Sequence, residues 1–202
     1  KGQVEIVQLL IERGANKEVQ DNYGDTPLHE AACYGKSEVA KLLLDRGANK
    51  DAKSEDENTP LHLAAANGQA EVAQLLINGA ADFNAKNKAV ETPLHFAVIY
   101  GNADIVKLLL DASADIYAKS NRGQTALSIA EQMSNNDIVK LLEAIANSHS
   151  SLKEYIKEGN IAEINKIIAS IDFNINCKLD ERGDTPLHLA AIEGQVEIVQ
   201  LL

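Results

Sequence analysis

One tetrapeptide recurs through the chain. Thr-Pro-Leu-His stands at Thr26 to His29, Thr59 to His62, Thr92 to His95 and Thr185 to His188. A weaker version, Thr-Ala-Leu-Ser, occupies Thr125 to Ser128, and the threonines at 26, 59, 92 and 125 are 33 residues apart each time. Nine residues after each of the first three comes a glycine, Gly35, Gly68 and Gly101, and then EVAKLLL, EVAQLLI or DIVKLLL. Self-similarity at a fixed period of this length specifies a repeat architecture, in which a unit too small to bury its own apolar face is stabilised by its neighbours. Compact single-core folds are thereby excluded for most of the 202 residues.

The motif has local physical causes. Threonine suits a helix N-cap, and proline suits the first helical position, where a missing N–H costs nothing. Leu28, Ala31 and Ala32 then fall on one side of a helix, and the alanines admit close helix neighbours. Gly35 permits the left-handed conformation that ends such a helix. Val39, Leu42 and Leu43 predict a second helix with a buried stripe, and the polar stretch from Ala48 must turn back before Thr59. Helices of about nine residues are marginal alone.

These residues resemble the ankyrin repeat over essentially the whole chain: TPLH at a 33-residue spacing, a glycine after the first helix, and Gly-Ala after the second. The resemblance implies an all-α repeat solenoid of helix–loop–helix units joined by β-hairpin fingers. It implies that the motif histidines hydrogen-bond backbone between units, which argues against a metal reading of His29, His62, His95 and His188. It places the residues seven and eight after each threonine on the concave side: Cys33 and Tyr34, Ala66 and Asn67, Ile99 and Tyr100, Gln132 and Met133. Asn84, in DFNAK, stands where asparagines of this family are hydroxylated.

The spacing breaks once. From Thr125 to Ser150 is 25 residues, after which Leu152 and Gly159 take the leucine and glycine places. The unit at Thr125 is expected to lack its finger, with Asn147 to His149 linking one helix to the next and His149 solvated. Two extra residues are expected near Ile171 to Cys177. Residues 125–147 read as an old C-terminal cap and 150–180 as an old N-terminal cap, so an array over 1–147 is expected to continue into a second over 148–202. GQVEIVQLL occurs at Gly2 to Leu10 and again at Gly194 to Leu202, an offset of 192 residues that equals six units. That identity, with a first residue that is not methionine, suggests a window of a longer protein with a six-unit super-repeat. It also suggests end-to-end self-association through 2–10 and 194–202.

Composition narrows function. Nineteen basic against 30 acidic residues give a net charge of −11, and proteins that displace counterions from polynucleotides need the opposite sign. No apolar run approaches the ~20 residues of a membrane helix. Two distant cysteines make no disulfide framework and suit a reducing cytoplasm. Neither GxGxxG nor GxxxxGK[ST] occurs, no nucleophile has a base at a suggestive spacing, and no cofactor or metal is implied. The expected function is non-enzymatic protein binding, through the concave surface and finger tips, by Tyr23, Cys33, Tyr34, Asn67, Lys88, Ile99, Tyr100, Arg122 and Met133. The fingers run from acidic (Asp21, Asp25, Glu55, Asp56, Glu57) to basic (Lys86, Lys88, Lys119, Arg122), which would orient a partner. The competing readings are a targeting or regulatory arm of a larger enzyme, toxin or secreted effector acting in a host cytoplasm, and an architectural spacer.

Overall fold

The computed structural model describes residues 2–169 and 174–202. Among them the chain is helical throughout: α1 (Gly2–Glu12), α2 (Pro27–Cys33), α3 (Ser37–Asp45), α4 (Pro60–Ala66), α5 (Ala70–Asn78), α6 (Pro93–Ile99), α7 (Ala103–Asp111), α8 (Ala126–Gln132), α9 (Asn136–Glu158), α10 (Ile161–Ala169), α11 (Pro186–Ile192) and α12 (Val196–Leu201). The short first helices α2, α4, α6 and α8 stack on one another, and α1, α3, α5, α7 and α9 stack beside them as a second layer.

The motif threonines set this register. Thr26, Thr59, Thr92, Thr125 and Thr185 are extended N-caps, four of them followed by proline. The backbone N–H of Thr26 donates to His29 Nδ1 at 3.1 Å, and His29 Nε2 donates to the Asn58 carbonyl at 2.9 Å, one unit on. His62 and His95 repeat the arrangement to the carbonyls of Glu91 and Gln124, both at 3.1 Å. Each imidazole thus fastens its own cap and the next finger, as the resemblance implied. Leu28, Leu61 and Leu94 are 0, 0 and 1% exposed between successive units. The left-handed turn that Ser134 takes at φ +56° in the unit at Thr125 is taken at φ +63° by Gly35. A Cβ there would lie 2.1 Å from Gln69 Oε1, and the left-handed backbone is costly for other residues.

The fingers are turns rather than paired strands, and no strand occurs among the described residues. Each is closed by two backbone bonds, such as Ser54 N–H to Asn58 O at 3.0 Å with Glu57 N–H to Ser54 O at 2.9 Å, or Asn87 N–H to Glu91 O at 3.0 Å with Val90 N–H to Asn87 O at 2.9 Å. One further bond links each finger to the next: Glu55 N–H to Tyr23 O, Lys88 N–H to Asp56 O, Asn121 N–H to Ala89 O. A single bond per neighbour is too short a ladder for a sheet. Asn84 Oδ1 accepts from Asp115 N–H at 2.8 Å, serving the same inter-unit role as Asp51 toward Asp82.

The break at Thr125 takes a form that the sequence reading missed. Asn147 to His149 is no link but the middle of α9, one helix of 23 residues. Its first part carries Ile138 and Leu142 as a second helix would. Its last part carries Leu152 and Ile156 as a first helix would, and ends at Gly159 in the left-handed region. His149, expected in solvent, is 7% exposed and packs beside Tyr117, whose hydroxyl lies 3.3 Å from Nδ1. Burial lowers its pKa to about 4 and raises that of Tyr117 to about 12. The two extra residues expected near 171–177 lie partly outside the described residues.

Buried apolar side chains form two clusters. One runs from Leu28 to Leu142 and the other from Leu152 to Ile198, with α9 contributing to both. Polar contacts stitch the seam between them: Lys178 to Asp115 and Lys119 to Glu181, each at 2.7 Å, beside the Tyr117–His149 pair.

Candidate functional site

The C-terminal ends of the first helices present one row of side chains in register. Tyr34 caps α2, Asn67 caps α4, Tyr100 caps α6 and Met133 caps α8. Tyr34, Tyr100 and Met133 are 65, 60 and 54% exposed. Single exposed apolar residues are ordinary; three of them at one register position of stacked units form a surface. Tyr100 is held by its tilted contact with Phe96, with ring centroids 6.2 Å apart. Cys33 is half-buried, and Asn67 Nδ2 reaches its sulfur at 3.5 Å while donating to Leu63 O. Burial, then Glu30 and Asp25, raise the Cys33 thiol pKa, which suits packing rather than nucleophilic chemistry. Cys177 is buried and pushed up to about 11.

Three of the nominated residues meet. Ile99, Met133 and Arg122 line one concavity of about 350 Å³ between α6 and α8. Ile129, Glu91, Gln124 and Gln132 complete it, and of these the sequence placed only Gln132 on the concave side. Gln124 Nε2 donates to Gln132 Oε1 at 2.9 Å, so these amides satisfy each other. Ile192 was also missed: it is 65% exposed and stands seven residues after Thr185, the position Ile99 holds after Thr92. The shared spacing was the signal.

Lys88 and Arg122 sit on adjoining finger tips, since Asn121 N–H donates to Ala89 O at 2.9 Å. Tyr23, 74% exposed, stands apart on the first finger, joined through its carbonyl to Glu55. Beside it the carboxylates of Asp21, Asp25 and Glu30 come within 4.8 Å of one another. Asp21 Oδ1 already accepts from the N–H groups of Tyr23 and Asp25, and desolvation is the main cause of a raised Asp25 pKa. At the seam, a concavity of about 300 Å³ is lined by Lys86, Asp115, Tyr117, Lys178 and Asp180 among others. Its acids are largely spent, Asp115 on Lys178 and Asp180 on Lys153. No helix among the described residues is long and apolar enough to cross a membrane.

Comparison with known proteins agrees with the geometry. The family model for ankyrin repeats in three copies matches residues 1–87 and 61–154, and the model for many copies matches 152–202. The chain belongs to the ankyrin repeat family. A stretch of 32 residues is 62% identical to the ankyrin repeat and SOCS box protein 3 of Homo sapiens, and 34 residues are 56% identical to the Bos taurus protein of that name. These stretches are 16 and 17% of this chain, and the match spans 6% of either relative's length. Repeats of this family are in general protein–protein interaction modules, typically without catalysis.

Proposed function

We propose that this chain is a non-enzymatic recognition module that binds a protein partner along the helix-end row and the adjoining finger tips. The observation that carries it is the register: Tyr34, Tyr100 and Met133 are more than half exposed at the ends of helices whose inner faces are buried. Aromatic and methionine side chains are the types enriched at interface centres. Their ordering is already met by folding, so binding costs little further entropy. The test replaces Tyr34, Ile99 and Tyr100 together with alanine and compares quantitative pull-downs. The wild-type chain retains a saturable partner that the variant loses, with helicity unchanged. Equal recovery by both refutes the assignment.

A second reading, self-association, is favoured by Leu187, which is 49% exposed where Leu28, Leu61 and Leu94 are buried. Each buried motif histidine reaches a carbonyl 29 residues on. Allowing for the 192-residue offset, the equivalent acceptor for His188 is the Asp25 carbonyl of a second copy. Such a contact is heterologous and builds open chains. Light scattering across a concentration series reports mass growth if this is right and a constant monomer if it is wrong.

A further inference from the structure

The concavity between α6 and α8 has a chemistry of its own. Its floor is apolar, made by Ile99, Ile129 and Met133. Its amides are paired with each other, which leaves Arg122 and Glu91 as the charged groups in the lining. Glu91 is half-buried and Arg122 exposed. Arg122, Lys88 and Lys86 take part in no ion pair among the described residues. Glu57, on the preceding finger, is engaged by Lys53 at 2.9 Å and also feels the charge of Lys88. Screening at physiological salt confines electrostatics to about 8 Å, so this rim is locally cationic on a chain whose net charge is −11. Among the described residues Glu91 is the acid in that lining, and no ion pair closes on these three cations.

We infer that this concavity seats an apolar side chain of a partner's peptide segment, with an adjacent carboxylate on Arg122 and a second acidic group on Lys88. The inference rests on the recognition reading above and names the partner chemistry of that surface. A forked guanidinium matches a carboxylate in two parallel hydrogen bonds, a geometry an ammonium cannot offer. The apolar floor lies directly beside it, so one residue pair of the partner satisfies both. A polynucleotide is disfavoured, because the first two fingers present Asp21, Asp25, Glu55 and Asp56 to the continuing strand. Those same acids favour a peptide whose far end is basic, giving the complex one polarity.

The test pans a displayed library of random 12-residue peptides against the 202-residue chain at low salt. Synthetic, fluorescein-labelled versions of enriched sequences are then titrated by anisotropy. Enriched peptides carry Asp or Glu next to Leu, Ile, Met or Phe. The double variant Lys88→Glu with Arg122→Glu binds them about tenfold more weakly, the scale of two exposed pairs turned repulsive. That deficit shrinks at 0.5 M salt, and both substitutions lie in exposed turns where folding is unaffected by circular dichroism. Three results separate the two levels of inference. Peptides without acidic enrichment, or affinity unmoved by the double variant, overturn this proposal; if the Tyr34–Ile99–Tyr100 alanine variant still loses binding, the recognition reading stands. Binding unmoved by that alanine variant overturns both.

Discussion

Acid should unfold this protein through its buried imidazoles before its carboxylates titrate. His62 is fully buried, with Nδ1 accepting from Thr59 N–H and Nε2 donating to Glu91 O. A second proton would set one N–H against another, and burial lowers the His62 pKa to about 4. His149 reaches about 4 by burial too, and His95 is lowered for the same first reason. In the unfolded chain each titrates near ~6.5. The folded values are the lower ones, so the unfolded state binds more protons between the two. Stability is therefore complete above pH ~6.5 and falls as pH drops toward 4, at about 1.4 kcal/mol per pH unit for each such histidine. At pH 4.5 His62 and His149 each cost about 2.7 kcal/mol, a large part of the total stability of an ordinary domain. Asp25 works in the opposite direction: its raised pKa contributes stability at low pH that is lost as pH rises through the folded value, which softens the acid limb. Urea melts followed by circular dichroism at pH 7.0 and 4.5 measure the difference. The His149→Gln variant should remove about 2.7 kcal/mol of pH dependence while leaving the contributions of His62 and His95. An identical pH dependence in wild type and variant, or a wild-type chain as stable at pH 4.5 as at 7.0, refutes the reasoning.

Other perturbations test the packing. Leu61→Ala, at a fully buried contact between units, should cost about 2–5 kcal/mol in urea melts. Leu187→Ala, at the same motif position but half exposed, should cost under about 1 kcal/mol. Gly24 and Gly47 share φ +75°, but a Cβ on Gly24 would sit 2.5 Å from the Glu55 backbone nitrogen, whereas Gly47 has open space. Gly24→Ala should therefore destabilise clearly more than Gly47→Ala, whose cost is the backbone strain of about 1–2 kcal/mol; equal costs would mean that the finger yields. Asn147→Pro should lose about 3 kcal/mol or more if α9 is continuous there, and a neutral outcome would restore a flexible link.

Most of the fold was legible because its causes are local and repeated. Threonine, proline, leucine and glycine at fixed offsets determine cap, first turn, buried contact and helix end, and the structure places Leu28, Leu61 and Leu94 alike. The continuity of α9 was legible too, by a different period. Ile138, Leu142, Ile145, His149, Leu152 and Ile156 alternate by four and three residues, one unbroken helical stripe. Asn147, Ser148 and Ser150 are poor helix formers, and their polarity disguised it; tertiary burial on both sides of the stripe outweighs such propensities. His149 was misplaced for the same reason: polarity suggested solvent where position in the stripe dictates burial. The fingers were legible as reversals only, since turn residues announce a reversal without fixing how many backbone bonds follow it. Within the site, Ile99 and Met133 follow from register. Gln132 does too, whereas Gln124 and Ile129 do not, because which loop closes over which helix end is decided by stacking.

The shared helix bears on how the recognition row is held. Tyr34, Asn67, Tyr100 and Met133 all cap helices whose buried faces belong to the first apolar cluster, whereas Ile192 is the last residue of α11, which belongs to the second. A partner that engages the first four meets one continuous packed body. One that reaches Ile192 as well must span a seam made of two ion pairs, a Tyr–His contact and the middle of α9. Exposed ion pairs contribute little, typically up to about 1 kcal/mol, so rigidity across the seam rests on α9 and on the burial of His149. Protonating that histidine weakens the seam while leaving every contact of the first four caps in place. Replacing His149 with Arg should thus impair partners that bridge the seam more than those confined to the stretch from Tyr34 to Met133, a selectivity that follows from one polar residue in an otherwise apolar stripe.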